Sequence, residues 1–185
     1  FVTLYALPEP VPPDRPGDTL RSTSAPAILR VSYPDGPKDV EAIFVSPRDT
    51  AAYLVSKGRT GSIKVYRVGS QAWNAAKPGT TGDPVMASVL QTLDIRPSSE
   101  AGRQVTGAAI RTDGRVVAIR TYNEVYLFNP GVGGRLVPAR ERPCNIAGIA
   151  VGGEAVAFLN DTTLVMTSEA GRGRPGRIDT VVCHR

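Results

Sequence analysis

A strand pattern that occurs three times constrains the fold of this chain more than any other sequence feature. The clearest copy runs from Val40 to Val68, where three short apolar runs are joined by a Ser-Pro turn and a glycine-flanked turn. Weaker copies begin at Val105 and at Gly153. Short apolar runs on tight turns indicate antiparallel strands that follow one another as a meander.

When the three copies are aligned with one another, one position at the start of each copy stands out. Glu41, Thr106 and Glu154 occupy this column of the alignment, and each is followed by alanine or glycine. Antiparallel sheets repeated along a chain are typical of β-propeller blades. Small residues are expected in their innermost strands, which crowd around the axis. An open β-sandwich with accidental internal similarity is the alternative.

The composition supports an all-β fold. Gly 19 and Pro 16 make up a large part of the 185 residues, as expected for short strands joined by turns. No segment has an uninterrupted amphipathic helical pattern of about ten residues, and no apolar stretch approaches the roughly 18 residues of a membrane helix.

The turn signals divide the chain into units. The sequence predicts a strand of a preceding blade at 1–7 and a proline-rich connection at 8–25. Blade-like units of four antiparallel strands are predicted at about 26–95, 104–138 and 146–185.

Three motifs resemble a known group of proteins. YPDGPKDVEAIFVSPR (33–48), VTGAAIRTDGRVVAIRTY (105–122) and GGEAVAFLND (152–161) are similar to bacterial secreted β-propeller proteins, which are distantly related to phytase-like and esterase-like propellers. The resemblance covers nearly the whole chain and consists of blade motifs. It implies about three C-terminal blades of a six-bladed ring, so that the remaining blades, on the same precursor or on another chain, are expected partners.

The meander geometry places a candidate site at one end of the sheets. Because consecutive strands are antiparallel, the start of each first strand lies beside the end of the second. We therefore expect Glu41 near Lys57, Thr106 near Arg120 and Thr121, and Glu154 near Ser168 and Glu169. The candidate ligand-binding residues at this mouth of the central channel are Glu41, Lys57, Thr106, Arg120, Glu154 and Glu169.

Three roles for this mouth are open from the residues alone. Glu41 and Glu154 could hold Ca²⁺ together with backbone carbonyls and water. The cations could bind a phosphate or carboxylate. Structural ion pairs lining a water-filled channel, with Glu41 paired to Lys57, are the third interpretation.

The two cysteines predict a disulfide. Cys144 and Cys183 bracket the third copy of the pattern, and a bond between them would favour an oxidising, secreted or periplasmic location. Two free buried thiols are the alternative.

Other chemistries have little support in the sequence. The single histidine, His184, lies beside Cys183, no Gly-x-Ser-x-Gly motif is present, and zinc-ligand spacing is absent. The net charge of +5 comes from scattered cations, and the basic segment 171–177 is predicted to be a solvated loop, so nucleic acid is an unexpected partner.

These observations favour a non-enzymatic secreted β-propeller that serves as a binding or scaffold module, with a role as a subunit of a larger assembly as one expectation. The alternative is a Ca²⁺-dependent phytase-like or esterase-like hydrolase with its site at the channel mouth.

Overall fold

The computed structural model describes residues 1–9, 15, 24–59, 61–96, 100–149, 151–171 and 173–183. Most of the predicted connection at 8–25, together with Arg172 and His184, lies outside the described residues. Within the described part, strands dominate and the one α-helix is short, so the all-β prediction is confirmed.

The elements follow the chain in this order: β1 (Val2–Ala6), β2 (Ala27–Ser32), β3 (Val40–Val45), β4 (Ala52–Ser56), β5 (Ile63–Val68), α1 (Ser70–Ala75), β6 (Val85–Met86), β7 (Ser88–Leu93), β8 (Val105–Ile110), β9 (Val117–Thr121), β10 (Glu124–Pro130), β11 (Leu136–Pro138), β12 (Cys144–Asn145), β13 (Gly153–Phe158), β14 (Thr163–Ser168) and β15 (Arg177–Val182). Single 3₁₀ turns occur at Glu100–Arg103 and Val132–Gly134.

These strands form four separate sheets. Sheet N has the order β1-β2-β6, sheet I has β3-β4-β5-β7, sheet II has β11-β10-β9-β8, and sheet III has β13-β14-β15. Strand β12 also pairs with β10, so β11 and β12 together form a divided outer strand of sheet II. Among the named strands, the pairings are antiparallel except for the short β2–β6 pair.

The observed pairing differs from the predicted units at β2 and β6, at β12, and in the third unit. Strand β2 lies within the predicted unit 26–95 but pairs with β1 in sheet N, with Val2 opposite Val31. The third predicted unit corresponds to sheet III, which has three described strands instead of the predicted four. Sheets I and II each contain the predicted four strands in sequence across the sheet. The fourth strand predicted for the first unit is observed as β7, which pairs with β5.

The sheets are stacked, and each interface holds its own hydrophobic core. Leu29, Leu54 and Tyr66 belong to the core between sheets N and I. The core between sheets I and II includes Phe44, Tyr53 and Ile119. The core between sheets II and III includes Val125, Leu164 and Met166.

Burial along the second strands follows from this stacking. Strands β4 and β9 are buried at every residue because sheets I and II have a neighbouring sheet on both faces. Strand β14 instead shows alternating burial, since only one face of sheet III is covered. The four sheets are therefore ordered N, I, II, III.

Candidate functional site

The same irregularity occurs in three successive sheets. The pairing of the first two strands shifts register between Val40 and Ala42 in sheet I, between Val105 and Gly107 in sheet II, and between Gly153 and Ala155 in sheet III. The extra residues at these β-bulges are Glu41, Thr106 and Glu154, the column identified in the sequence. A bulge redirects the side chain of its extra residue, and bulges are frequent beside binding sites.

The first strands of the three sheets lie side by side. Strand β8 contacts β3 on one side and β13 on the other. At Gly107 a Cβ atom would lie 3.2 Å from both the Ala155 Cα and the Val156 N, so the backbones approach more closely than most side chains allow. The small residues of the alignment therefore permit this contact, and the three bulges lie at the same end of neighbouring strands.

Lys57 joins sheets I and II at this end. Its side chain is 7% exposed, and Nζ donates a hydrogen bond of 3.3 Å to Glu41 Oε1. Its backbone N donates to Asp39 O at 2.8 Å, and its carbonyl accepts from Val105 N at 3.0 Å. Burial lowers the pKa of the ammonium, but the hydrogen bond and charge of Glu41 outweigh this effect, and the pKa is raised. The expected proximity of Glu41 and Lys57 is confirmed.

Thr106 is the bulge residue of the central sheet. It is fully buried, and its hydroxyl has no hydrogen-bond partner among the described residues. The neighbouring Thr121, which lies opposite Val105 as expected, differs because its hydroxyl donates to Glu124 O and accepts from Glu124 N, both at 3.1 Å. A buried hydroxyl without a protein partner is uncommon in folded proteins.

Arg120 donates hydrogen bonds to the backbone of the neighbouring sheet. It is fully buried, and Nη1 donates to Ala155 O at 2.7 Å and to Thr167 O at 3.0 Å, both in sheet III. Its guanidinium occupies the space that a Cβ at Gly153 would need. Burial lowers its pKa, and the charges of Glu154 and Asp179 oppose that change. The geometry gives Arg120 the role of connecting sheets II and III.

Glu154 and Glu169 complete the set of predicted residues. Glu154 is half-buried, and Glu169 N donates to Gly152 O at 3.1 Å at the end of sheet III. The pKa of Glu154 is raised, first by burial and then by the charges of Glu169 and Glu41, while Lys57 and Arg120 act in the opposite direction. The charge of Glu154 therefore interacts with the charges of Glu41, Lys57, Arg120 and Glu169.

The donor set of this end gives no support to the Ca²⁺ prediction. Within the described ranges, no group of three or more His, Cys, Asp or Glu residues is arranged to hold a metal ion. Glu41 and Glu154 remain the two predicted metal ligands, but Glu41 accepts its hydrogen bond from Lys57. No step of a metal-dependent hydrolysis is derived from these residues.

A groove that the sequence did not reveal opens beside the bulges. It has a volume of about 1000 Å³, and its lining includes Tyr122, Asn123, Glu169, Arg174 and Arg177. Lys57 Nζ lies 6.0 Å from the centre of the Tyr122 ring. The sequence indicates only a turn at Tyr122 and Asn123 and gives no sign that they line a groove. Their position there results from the packing of sheets II and III.

The predicted disulfide is present. Cys144 in β12 is bonded to Cys183 after β15, with a Cα–Cα distance of 5.6 Å. The bond joins the outer strands of sheets II and III, away from the first strands that carry the bulges. No helix among the described residues combines the length and apolar character needed to cross a membrane.

Comparisons with known proteins do not identify the chain. Its sequence matches no protein-family model, and no curated protein matches it. The resemblance to secreted β-propellers therefore stays a prediction, and the fold class established by the structure is all-β with stacked antiparallel sheets.

Proposed function

We propose that the chain forms neighbouring blades of a β-propeller that serves as a secreted or periplasmic binding module, with its ligand site at the bulge end. Three successive sheets with adjacent first strands support the ring architecture. The disulfide supports an oxidising compartment. The expected ring has six blades, and this chain supplies about three of them.

The outer faces of the stack support further blades as partners. On the free face of sheet III, Ile178 is 77% exposed and Val182 is 49% exposed. At the other end of the stack, Tyr5 of sheet N and Phe1, which precedes β1, are also exposed. Apolar side chains collected on two terminal sheet faces are expected where additional sheets cover them.

The buried, unpartnered hydroxyl of Thr106 is the observation that carries the proposed ligand site. It lies at the central bulge, between the bulges that contain Glu41 and Glu154. Because the hydroxyl has no accessible surface, a ligand group would reach and satisfy it only after movement of the surrounding strand ends, and a second group could donate to the Glu154 carboxylate. The ligand is therefore a small polar molecule that both donates and accepts hydrogen bonds, such as a sugar or an amino acid.

Thr106→Val gives a direct test because it removes only the hydroxyl at nearly constant volume. Without ligand, the variant should be more stable than the wild type by about 1 kcal/mol, since a buried hydroxyl without a partner is unfavourable. Isothermal titration calorimetry with glucose and glycine should detect binding of at least one probe to the wild type, and Thr106→Val should abolish it. Sulfate, which only accepts hydrogen bonds, is the control probe.

Two results would contradict the proposal. One is a destabilised Thr106→Val variant, which would show that the hydroxyl already has a partner in the folded protein. The other is the absence of binding by both glucose and glycine to the whole protein. Hydrolysis of p-nitrophenyl phosphate or p-nitrophenyl acetate that is lost in Glu41→Gln would instead establish the hydrolase alternative.

A further inference from the structure

A second cavity lies at the opposite end of sheets I and II. It has a volume of about 380 Å³, within the range of small-molecule sites. Phe44 and Tyr53 of sheet I form one wall, and their rings are stacked with parallel planes and centres 4.8 Å apart. Ile110 and Leu136 of sheet II contribute apolar atoms from the other side.

The polar groups inside this cavity are largely satisfied by each other. Asp49 accepts hydrogen bonds from Tyr53 Oη at 3.0 Å and from Arg67 Nη2 at 2.9 Å. The backbone N of Ala51 donates to the same carboxylate at 3.3 Å. Because Asp49 and Arg67 neutralise each other, neither provides an uncompensated charge for a ligand.

Arg48 provides such a charge at the rim of the cavity. Its guanidinium takes part in none of the ion pairs formed within the described ranges. The Arg48 side chain packs against Gly114, where a Cβ would lie 3.2 Å from both Arg48 Cγ and Nε. The turn at Gly114 therefore positions a cation that has no ion-pair partner among the described residues.

The remaining wall is a loop with little side-chain volume. Gly131, Gly133 and Gly134 line the cavity. Gly134 has a φ of +82°, and a Cβ there would collide with the Tyr53 hydroxyl. A side chain at this position would need backbone movement, so glycine allows the loop to approach the ring of Tyr53 closely. The loop leaves the space beside the apolar wall unfilled by side chains.

We propose that this cavity binds a small aromatic carboxylate. Its ring would pack against Phe44, Tyr53 and the aliphatic side chains of Ile110 and Leu136, where aromatic rings favour offset or edge contacts. Its carboxylate would pair with Arg48, whose planar guanidinium matches a carboxylate through two hydrogen bonds. This site is independent of the bulge site, since it lies at the other end of the same strands.

Benzoate is a suitable probe, and benzamide is its nearly isosteric neutral control. Amide chemical shifts of the Gly131–Gly134 loop should change on titration of the purified protein with benzoate, with a dissociation constant on the order of 1 mM for so small a ligand. Benzamide should bind about tenfold more weakly, because it cannot form the charged pair with Arg48.

Arg48→Gln should weaken benzoate binding by about tenfold or more and leave the weak binding of benzamide unchanged. Arg59→Gln is the matched control, because Arg59 is an exposed arginine paired with Asp39 near the bulge end. The inference is overturned if benzoate leaves the loop amides unchanged, if benzamide binds as tightly as benzoate, or if Arg48→Gln binds benzoate like the wild type.

Discussion

Replacing Arg120 with methionine tests the structural role assigned to a large, fully buried and charged side chain. The wild-type guanidinium donates to Ala155 O and Thr167 O across the interface of sheets II and III. Methionine preserves most of the side-chain volume but donates no hydrogen bond. The variant also removes a buried positive charge that acts on Glu154 and Asp179.

The expected loss follows from these contacts. A hydrogen bond from a charged donor contributes about 1.5–3 kcal/mol, so the two bonds together contribute about 3–6 kcal/mol. Removal of the unfavourable burial of the guanidinium offsets part of this amount. We therefore expect Arg120→Met to lower the free energy of unfolding by about 2–4 kcal/mol.

Urea denaturation followed by circular dichroism measures this difference, provided that the m-value is unchanged. Arg96→Met is the matched control, since Arg96 is highly exposed and pairs only with the exposed Asp94 among the described residues. Its stability should equal that of the wild type. If Arg120→Met unfolds within about 0.5 kcal/mol of the wild type, the guanidinium does not hold sheets II and III together.

Three further substitutions test other parts of the structure. Gly107→Ala places a Cβ 3.2 Å from the backbone of β13 and should destabilise the protein by about 1–3 kcal/mol in urea denaturation. Gly82→Ala, which has open space around its Cβ, is the control and should leave stability unchanged. Equal effects of the two substitutions would refute the close approach of the first strands. Glu154→Gln should stabilise the protein at pH 7, because the raised pKa of Glu154 shows that its ionisation is unfavourable in the folded state. In thermal unfolding, this gain in stability should disappear as the pH falls below the ordinary pKa of 4.5. A gain that does not depend on pH would contradict this cause. Replacing Cys144 and Cys183 by serine should lower the free energy of unfolding by about 3–4 kcal/mol, as expected for a loop closed by residues with a sequence separation of 39. An unchanged denaturation midpoint would exclude a stabilising role for the disulfide.

The features that the sequence predicts well depend on local chemistry. Short apolar runs and turn residues identify the three meanders, and antiparallel geometry then brings Glu41 close to Lys57 and Glu154 close to Glu169. The alignment column of Glu41, Thr106 and Glu154 marks the three bulges, although the pattern alone does not distinguish a bulge from an ordinary strand start.

The features that the sequence does not predict depend on long-range packing. Strand β2 is compatible with several sheets, and only its pairing with β1 across the intervening connection assigns it to sheet N. Arg120 is a charged residue, a type that is seldom fully buried, so its position between sheets II and III has no sequence signal. The cavity beside Arg48 also requires the relative position of two sheets.

The proposed ring depends most directly on what covers the outer faces of sheets N and III. A crystal structure of the protein as isolated from its natural source would show these faces. The proposal predicts further antiparallel sheets packed on Tyr5 and Ile178, closing a ring in which β3, β8 and β13 are innermost and Glu41, Thr106 and Glu154 line one mouth. An open stack with Tyr5 and Ile178 facing solvent would contradict it.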